Sequence, residues 1–428
     1  MKNLNWQSEF ANHTRDWKIK VMQDALHDLG NPHLKLPNII HIAGTNGKGS
    51  TINFIRTILE VAGHQVAMYT SPHLVEYNER FYIGGRLITD AEIEYYRKII
   101  LTKCKNANDI SYFEASTLIA IMFFADNINP DGYCLFEVGL GGRLDATNIF
   151  DKPLACAITS ISLDHIDKLG NTLESIAREK AGIIKHNVPV WCANNDKNVI
   201  NAIQEVAMAK NAPLFIQGQN YNIDYSLTPS LIGNHQYENA TLAKEICKHI
   251  GISETNIQDG IANTTWNGRM QKVHLKNIDE KQLNISNIYL DGAHNEGGIE
   301  AICNFVNHIK QDKINTKIVG VFACLKRKDY MSFLPKLSKS NFDKLLFYNV
   351  PQEVNDFVAP QELQSIAKQH NLTSDIVNDM QDLQEQLINM QHKQPITIIF
   401  FGSLYFIGYI MEHYVNNDKL VSQNKYDV

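Results

Sequence analysis

The chain has 428 residues, 44% of them hydrophobic, and a formal net charge of −6. This length and composition are typical of a globular protein with large hydrophobic cores, and they predict two or three domains. The negative charge argues against binding nucleic acid through a broad basic surface, so a polyanionic ligand would need a local basic pocket. The seven cysteines are scattered without a C-x-x-C pair, which is typical of reduced thiols in a cytoplasmic protein.

Two segments bear on a membrane location. The N-terminal residues lack the apolar stretch that a signal peptide needs. Residues 394–411 carry no charged side chain, but a β-branched and aromatic run over residues 397–401 is followed by Gly402-Ser403 and a helical pattern over residues 404–414. This order predicts a buried strand that leads into a helix, and not a membrane span.

The first chemical signature follows a strand that we predict at residues 39–43. Residues 44–51 read G-T-N-G-K-G-S-T and precede a helical pattern over residues 52–62. A strand, a glycine-rich loop and a helix start form a phosphate cradle, so we predict binding of ATP or GTP, with an ordinary glycine turn as the alternative. Gly49 separates Lys48 from Ser50, so the hydroxyl that usually holds Mg²⁺ beside the lysine is missing and a metal ligand must come from elsewhere.

Apolar runs alternate with helical patterns along most of the chain, as in a largely parallel sheet covered by helices on both faces. The predicted strands of a first series span residues 39–43, 65–70, 133–138, 155–161, 188–192 and 213–216. Those of a second series span residues 288–291, 317–323, 344–350 and 396–401. Two α/β domains in tandem are therefore expected, with a hinge region in the weakly patterned residues 265–286.

Polar residues follow the predicted strands, at the end where parallel sheets bind ligands. Ser71 follows the second strand, Glu137 ends the third, and His165 lies shortly after the fourth. Each has a structural alternative, as a turn residue, a capping carboxylate and a hydrogen-bonded loop histidine respectively. Their joint placement beside the phosphate loop favours a divalent-metal site that bridges ATP and a second substrate.

Seven motifs together resemble a known family. Beginning at His41, Thr70, Phe136, Ser162, Arg178, Gly233 and Asp291, they read H-I-A-G-T-N-G-K-G-S-T, T-S-P-H-L-V-E-Y-N-E-R, F-E-V-G-L-G-G-R-L-D-A-T-N, S-L-D-H, R-E-K-A-G-I, G-N-H-Q-Y-E-N-A and D-G-A-H-N. Their order over residues 41–405 resembles folylpolyglutamate synthase and dihydrofolate synthase of the Mur ligase superfamily. Asn267 and Glu296 stand where the family often has proline, and neither departure removes a charge that the chemistry needs.

The resemblance implies an N-terminal P-loop Mur-ligase-like ATPase domain with a parallel-rich sheet over residues 1–267. A smaller C-terminal Rossmann-like α/β glutamate-ligase domain would span residues 268–428. The implied enzyme is an ATP-dependent amide ligase that phosphorylates a carboxylate and transfers the acyl group to the amine of L-glutamate. Its implied acceptors are dihydropteroate and reduced folates, and it would be a cytoplasmic monomer with no nucleic-acid or membrane partner.

The resemblance also assigns roles to individual residues. ATP phosphates would be held by Gly47, Lys48, Gly49 and Ser50. Mg²⁺ ions, at two sites, would be held by Ser71, Glu137 and His165. Further nucleotide contacts would come from Asn239, Arg269 and Asp291. The catalytic set would be Lys180, His294 and Asp291, with Asp291 and His294 reaching ATP from the second domain. Lys180 matches a lysine that CO₂ carbamylates, and the alternative is that it pairs with a carboxylate.

A pterin pocket is implied by two further segments. They are Phe113, Glu114, Ala115 and Ser116, and Leu144, Asp145 and Ala146. An aromatic ring beside polar groups suits a flat heterocycle, although Phe113 could equally be a core residue.

Rival functions remain open at this stage. A monofunctional folylpolyglutamate synthase and a cell-wall Mur-type ligase are alternatives within the superfamily. A GTP-binding regulatory module is disfavoured, because the sequence N-K-Y-D occurs only at residues 424–427, in the tail of the chain. A nucleotide-binding scaffold without catalysis would not need the metal-binding residues.

Overall fold

The computed structural model describes Phe10 and residues 19–194, 196–276, 278–312, 315–390 and 394–416. These residues form two compact units. The N-terminal unit joins residues 10–229 with Gln236–Thr264, and the C-terminal unit joins Ser230–His235 with residues 265–416. The domain boundary at residues 267 and 268 stays a prediction, and the N-K-Y-D sequence lies outside the described residues.

The N-terminal unit is built on an eight-stranded sheet. Its strands are β1 (Ile39–Ala43), β2 (Val66–Tyr69), β3 (Phe81–Ile83), β4 (Arg86–Leu87), β5 (Tyr133–Glu137), β6 (Ala155–Ile158), β7 (Val190–Cys192) and β8 (Leu214–Ile216). They lie in the order β4-β3-β2-β5-β1-β6-β7-β8. All neighbours pair parallel except for β3, which pairs antiparallel with β2 and β4. The central β1 and β5 are buried along their whole length, as the continuous apolar runs predict.

Helices cover this sheet. They are α1 (Ile19–Asp28), α2 (Lys48–Val61), α3 (Asp90–Lys103), α4 (Tyr112–Asn127), α5 (Ile166–Leu169), α6 (Leu173–Ala181), α7 (Lys197–Ala209), α8 (His235–His249) and α9 (Glu254–Ala262). Capping boxes begin three of them, with Thr89, Ser111 and Thr172 as the capping residues. The helix after the phosphate loop begins at Lys48, four residues before the predicted start, because the loop residues Lys48-Gly49-Ser50-Thr51 already form its first turn.

The C-terminal unit is built on a six-stranded sheet. Its strands are β9 (Gln271–Lys272), β10 (Ile285–Leu290), β11 (Lys317–Phe322), β12 (Lys344–Tyr348), β13 (Ser374–Val377) and β14 (Ile396–Phe401). They lie in the order β13-β12-β11-β14-β10-β9, all parallel except β9. The helices are α10 (Glu296–Asp312), α11 (Tyr330–Leu337), α12 (Pro360–Gln369), α13 (Met380–Asn389) and α14 (Leu404–Tyr414).

The uncharged segment near the C-terminus forms the predicted strand and helix. Every residue of β14 is buried between β10 and β11, and α14 follows after the Gly402-Ser403 turn. In the described part of the chain, no helix has both the length and the apolar character needed to cross a membrane. The uncharged sequence is therefore explained by burial of a central strand.

Four strands were not predicted. The hairpin strands β3 and β4 and the two-residue β9 are very short, and β13 is an edge strand that is only partly buried. Short or edge strands bury too little apolar surface to show a clear hydrophobic period. The predicted hinge region, residues 265–286, contains β9 and the start of β10.

Candidate active site

Four strands of the N-terminal sheet, β2, β5, β1 and β6, are neighbours and end at the same edge. The register pairs Ile42 with Glu137 and Ala43 with Ile158 at this edge. Parallel sheets bind ligands beyond the carboxyl ends of their strands. The segments that follow these strands therefore lie close together, as the sequence predicted.

Gly47 shapes the phosphate loop at the point where α2 begins. Its φ of 86° is left-handed, and a Cβ atom there would lie 2.3 Å from Oδ1 of Asn239. Asn239 is held in place by its Nδ2, which donates to Oε1 of Gln236 at 3.0 Å. Gly49 and Ser50 follow in the first turn of α2, where backbone N–H groups lack carbonyl partners within the helix. The loop therefore needs glycine at position 47, and the structure brings the predicted Asn239 to it.

Two residues after β6 clamp the same loop: Ser162, which begins the S-L-D-H motif, and Thr159, which the sequence analysis missed. A Cβ atom on Gly44 would lie 1.7 Å from Oγ1 of Thr159, and this hydroxyl lies 2.6 Å from the carbonyl oxygen of Asn46. Nδ2 of Asn46 in turn donates to Oγ of Ser162 at 3.1 Å. Thr159 stands one residue after a buried strand, and that position was the only available signal for it.

Two lysine ammonium groups converge on one backbone carbonyl. Nζ of Lys48 donates to the carbonyl oxygen of Gly44 at 3.1 Å, and Nζ of Lys180 donates to the same oxygen at 2.8 Å. Lys180 is only 4% exposed. Burial, and secondly the positive charge of Lys48, lower the pKa of Lys180 to about 7, against the opposing effect of Asp164 and Asp145. Near neutral pH, the Lys180 side chain is therefore a neutral amine in a large fraction of the molecules.

Two of the three predicted metal ligands meet. Glu137 is buried, and its Oε2 accepts a hydrogen bond from the backbone N–H of Ser71 at 3.2 Å. The other carboxylate oxygen, Oε1, lies 3.8 Å from Nζ of Lys48. His165 lies in the loop after β6 with an exposed side chain, and its Nε2 is 3.8 Å from Oδ1 of Asp164. Among the described residues, no group of three or more His, Cys, Asp or Glu side chains is placed to hold a metal. The complete ligand set stays a prediction.

Asp145 is buried and organises the loop after β5. Its Oδ1 accepts from the backbone N–H and the hydroxyl of Thr147, at 2.9 and 2.6 Å, and its Oδ2 accepts from the backbone N–H of Leu140 at 2.8 Å. Burial raises the pKa of Asp145, and these hydrogen bonds oppose that rise. Of its predicted substrate-binding neighbours, Leu144 is half-buried and Ala146 is buried.

The predicted pterin residues of α4 have different surroundings. Phe113 is partly buried, and its ring lies so close to Gly139 that a Cβ atom there would be 2.3 Å from the ring carbon Cζ. Glu114 completes the capping box of α4, because its Oε2 accepts from the backbone N–H of Ser111 at 2.7 Å. Ala115 and Ser116 are fully buried, and the hydroxyl of Tyr69 donates to Oγ of Ser116 at 2.9 Å. Only Phe113 and Glu114 of this group are accessible to solvent.

The C-terminal unit places its predicted residues after β10. Asp291 accepts from the backbone N–H of Met270 through Oδ2 and from that of Ala293 through Oδ1, both at 2.8 Å. Nδ1 of His294 donates to the carbonyl oxygen of Gly292 at 2.7 Å, which leaves Nε2 as the other ring nitrogen. Asp291 therefore holds this loop together.

Arg269 and an additional histidine lie in the same part of the C-terminal unit. Nη1 of Arg269 donates to the carbonyl oxygen of Gly268 at 3.0 Å. Burial lowers the pKa of His235, and Asp291 and Arg269 act on it with opposite signs. His235 belongs to the G-N-H-Q motif but was not predicted as a functional residue.

Comparisons with known proteins identify the family of this chain. The family model for the Mur ligase middle domain matches residues 42–247, and that for the dihydrofolate synthetase C-terminal domain matches residues 271–413. A dihydrofolate synthase/folylpolyglutamate synthase of Bacillus subtilis is 34% identical over 74% of this chain and 77% of its own length. The chain belongs to the dihydrofolate synthase/folylpolyglutamate synthase family of the Mur ligase superfamily. The predicted family is thus confirmed.

Solved structures of this family support the same conclusion. E. coli FolC in complex with DHPP and ADP is 28% identical, covers 95% of this chain and 95% of its own, and superposes with a TM-score of 0.82. A bifunctional folylpolyglutamate synthase/dihydrofolate synthase of Yersinia pestis complexed with AMPPNP and Mn ion is 26% identical, covers 95% and 96%, and has a TM-score of 0.80. The family thus confirms the predicted fold, an N-terminal Mur-ligase-like unit followed by a second α/β unit.

Proposed function

We propose that this chain is an ATP-dependent ligase that adds L-glutamate to dihydropteroate and to reduced folates. One observation carries the proposal. The ammonium groups of Lys48 and Lys180 meet at the Gly44 carbonyl, next to the Glu137 carboxylate, at the edge of a parallel sheet. The Lys48 ammonium gives this edge a local positive charge for phosphate, in a chain with net negative charge and within a family of folate ligases.

The reaction has two steps. A carboxylate oxygen of the pterin substrate attacks the γ-phosphorus of ATP, and ADP leaves with the bridging electron pair. The amine of L-glutamate then attacks the acyl carbon, the C–N bond forms, and phosphate leaves as the amine loses a proton. Lys48 would neutralise charge on the transferring phosphoryl group, and the N–H groups of Gly47, Gly49 and Ser50 would bind the other phosphate oxygens.

A divalent cation fits the oxygen and imidazole donors at this edge. Glu137 is buried and already faces one cation, the Lys48 ammonium, so a positive charge suits its surroundings. Ser71, Glu137 and His165 would hold Mg²⁺, which supplies charge neutralisation at the ATP phosphates. We infer two Mg²⁺ positions, with a modified Lys180 supporting the second.

The environment of Lys180 supports its proposed carbamylation. The ammonium first loses one proton; the neutral amine then adds to CO₂, a C–N bond forms and a second proton is released, so a buried cation becomes an anion. That anion would lie beside the Lys48 ammonium and would replace a like-charge repulsion by an attraction. The alternative pairing of unmodified Lys180 with a carboxylate is less favoured, because the contact that is present is to the Gly44 carbonyl.

The pterin ring is proposed to bind beside Phe113 and Glu114, next to the loop that Asp145 organises. Leu144 is the more accessible neighbour of Asp145, whereas Ala115, Ser116 and Ala146 are buried and would shape the wall from behind. An aromatic wall can position a flat ring so that the benzoate carboxylate reaches the phosphate site.

In the C-terminal unit, we propose Arg269, Asp291 and His294 as nucleotide contacts. Asn239 would be a further nucleotide contact, from the N-terminal unit. Asp291 would act through the loop that it holds, and His294 through its Nε2 nitrogen. The seven cysteines are all free thiols, which supports the proposed cytoplasmic location. The proposed monomer can be checked by light scattering.

A monofunctional folylpolyglutamate synthase is the nearest alternative, and one assay separates the two. Glutamate-dependent ADP release is measured with dihydropteroate and with tetrahydrofolate. Release with both acceptors is expected, and release with tetrahydrofolate alone would leave only the synthase for glutamate tails. The Phe113→Ala variant should reduce dihydropteroate ligation about 10-fold more than folate ligation, whereas Glu137→Ala should abolish both.

A further inference from the structure

His41 is a fully buried histidine that the proposed mechanism does not use. It lies on β1, where the register places it beside Phe136 on β5 and Cys156 on β6. The ring of Phe150 packs against the imidazole edge to face, with the ring centres 6.1 Å apart. An imidazole in such apolar surroundings costs free energy unless its N–H group is hydrogen-bonded. Its polar atoms therefore need an explanation.

A chain of hydrogen bonds leads from His41 to Asp145. Nε2 of His41 lies 2.8 Å from Oγ1 of Thr147, and this hydroxyl lies 2.6 Å from Oδ1 of Asp145. A threonine hydroxyl has one proton, and the carboxylate can only accept it. Thr147 therefore donates to Asp145 and accepts from His41, which requires that His41 carries its proton on Nε2.

His41 is a permanent donor and not an acid or a base. Its Nδ1 is buried, and no hydrogen-bond partner for it exists among the described residues. Burial, and secondly the positive charge of Lys185, lower the pKa of His41 to about 3. The imidazole thus stays neutral near physiological pH, with one N–H group directed at Thr147.

We propose that His41 is a positioning residue for the pterin substrate, because its hydrogen bond to Thr147 holds Asp145 and the loop after β5 in the geometry that binds dihydropteroate. The inference rests on the proposed function. Asp145 ties Leu140 to Thr147 across that loop, so its orientation decides the shape of the predicted pterin wall. The strand that carries His41 also leads into the phosphate loop, so β1 would align both substrates.

Paired variants of His41 and Thr147 test the effect of the hydrogen bond on substrate binding. His41→Leu and Thr147→Val each break the chain of hydrogen bonds from His41 to Asp145. Each should raise KM for dihydropteroate about 10-fold, with a much smaller change in KM for ATP. His41→Gln keeps an amide N–H near the position of Nε2, and Thr147→Ser keeps the hydroxyl, so both should restore most of the wild-type KM. The double variant His41→Leu with Thr147→Val should be no worse than either single variant, because both break the same chain.

A spectroscopic signal tests the hydrogen bond without turnover. In ¹⁵N NMR of the wild type, the resonance that disappears in His41→Gln should show the neutral Nε2–H tautomer from about pH 5 to about pH 9. The Nδ1–H tautomer would overturn the proposal. So would an unchanged KM for dihydropteroate in a His41→Leu protein that urea unfolding shows to be folded. Failure of the wild type to use dihydropteroate would overturn the proposed function together with the pterin role of His41, whereas normal wild-type turnover with unaffected variants overturns only the latter.

Discussion

The carboxyl edges of the two sheets use charged side chains in opposite ways. At the N-terminal edge, the ammonium groups of Lys48 and Lys180 share the Gly44 carbonyl, and the pKa of Lys180 is lowered. At the C-terminal edge, both carboxylate oxygens of Asp291 are satisfied by backbone N–H groups. In the unmodified protein, the first edge therefore holds two basic side chains of which one disfavours the charge of the other, and the second has a carboxylate that holds a loop. A charged residue beyond a strand can thus serve a ligand or the backbone, and the contacts decide which.

The largest effect at the N-terminal edge is expected from Lys48. Lys48→Ala should reduce glutamate-dependent ADP release by about 1000-fold, because the phosphoryl group loses a charge-stabilising donor. The stability of the fold should change little, since the variant loses the attraction between Lys48 and the buried Glu137 carboxylate but also the repulsion between Lys48 and Lys180. ADP release and urea unfolding measure the two effects.

A matched control is Lys98→Ala, which removes an exposed lysine paired with Glu94 at 3.3 Å. It should leave turnover unchanged. Near-normal turnover in folded Lys48→Ala would contradict the phosphate site.

Lys180 should give the next largest effect. Lys180→Ala is expected to lower turnover about 100-fold, because the proposed carbamate, and with it the proposed support of the metal site, can no longer form. Wild-type enzyme supplied with ¹³CO₂ should show a carbamate carbon signal that is missing in the variant. An unmodified ammonium in the active, metal-bound enzyme would refute carbamylation.

The same residue predicts a pH dependence of stability in CO₂-depleted buffer. The pKa of Lys180 is lowered from 10.5 to about 7, so between these values the unfolded chain binds more protons than the folded one. The free energy of unfolding should therefore rise with pH across this window, whereas below about pH 7 the cost of the buried charge is present in full. Urea unfolding should show a flatter dependence in Lys180→Met. Parallel curves for the two proteins would mean that the amine is not perturbed.

At the C-terminal edge, removing the Asp291 carboxylate should mainly lower the stability of the unit. Asp291→Ala should destabilise the C-terminal unit by about 1–3 kcal/mol, because two buried backbone N–H groups lose their acceptor. Asp291→Asn should cost less, since its amide oxygen still accepts one hydrogen bond. Asp356→Ala, which removes an exposed carboxylate paired with Lys326, is the control and should be neutral. Thermal unfolding compares the three variants, and an unchanged Asp291→Ala protein would show that the loop does not depend on this carboxylate.

Much of the architecture could be predicted from the sequence, because long buried strands are continuous apolar runs. The strand at Ile396–Phe401 was placed at its observed bounds, whereas the short hairpin of Phe81–Ile83 and Arg86–Leu87 has no period to detect. The positions of Ser71 and Glu137 at the ends of two predicted parallel strands also predicted that these residues would lie close together.

Other features depend on contacts that no local pattern records. Thr159 clamps the phosphate loop from the end of a neighbouring strand, so its role does not follow from residue type. The hydrogen bond from His41 to Thr147 joins residues that are far apart in the chain. Such roles are set by tertiary structure, which is why the sequence alone could not assign them.

The smallest effect is expected from glycine variants, which test whether nucleotide binding at the N-terminal edge depends on the backbone shape of the loop as well as on charge. Gly47 and Gly63 have nearly the same left-handed backbone, with φ of 86° and 88°, but only at Gly47 would a Cβ atom meet another group, Oδ1 of Asn239 at 2.3 Å. Gly63→Ala should lose about 1 kcal/mol of stability, the cost of a left-handed alanine, and Gly47→Ala should lose more, because the buried Asn239 must also shift. Only Gly47→Ala should also weaken binding of an ATP analogue, by about 10-fold, because Asn239 must move away from the loop. Calorimetric titration of both variants measures this difference. Equal affinities would show that charge alone, and not the fit of the loop against Asn239, sets nucleotide binding at this edge.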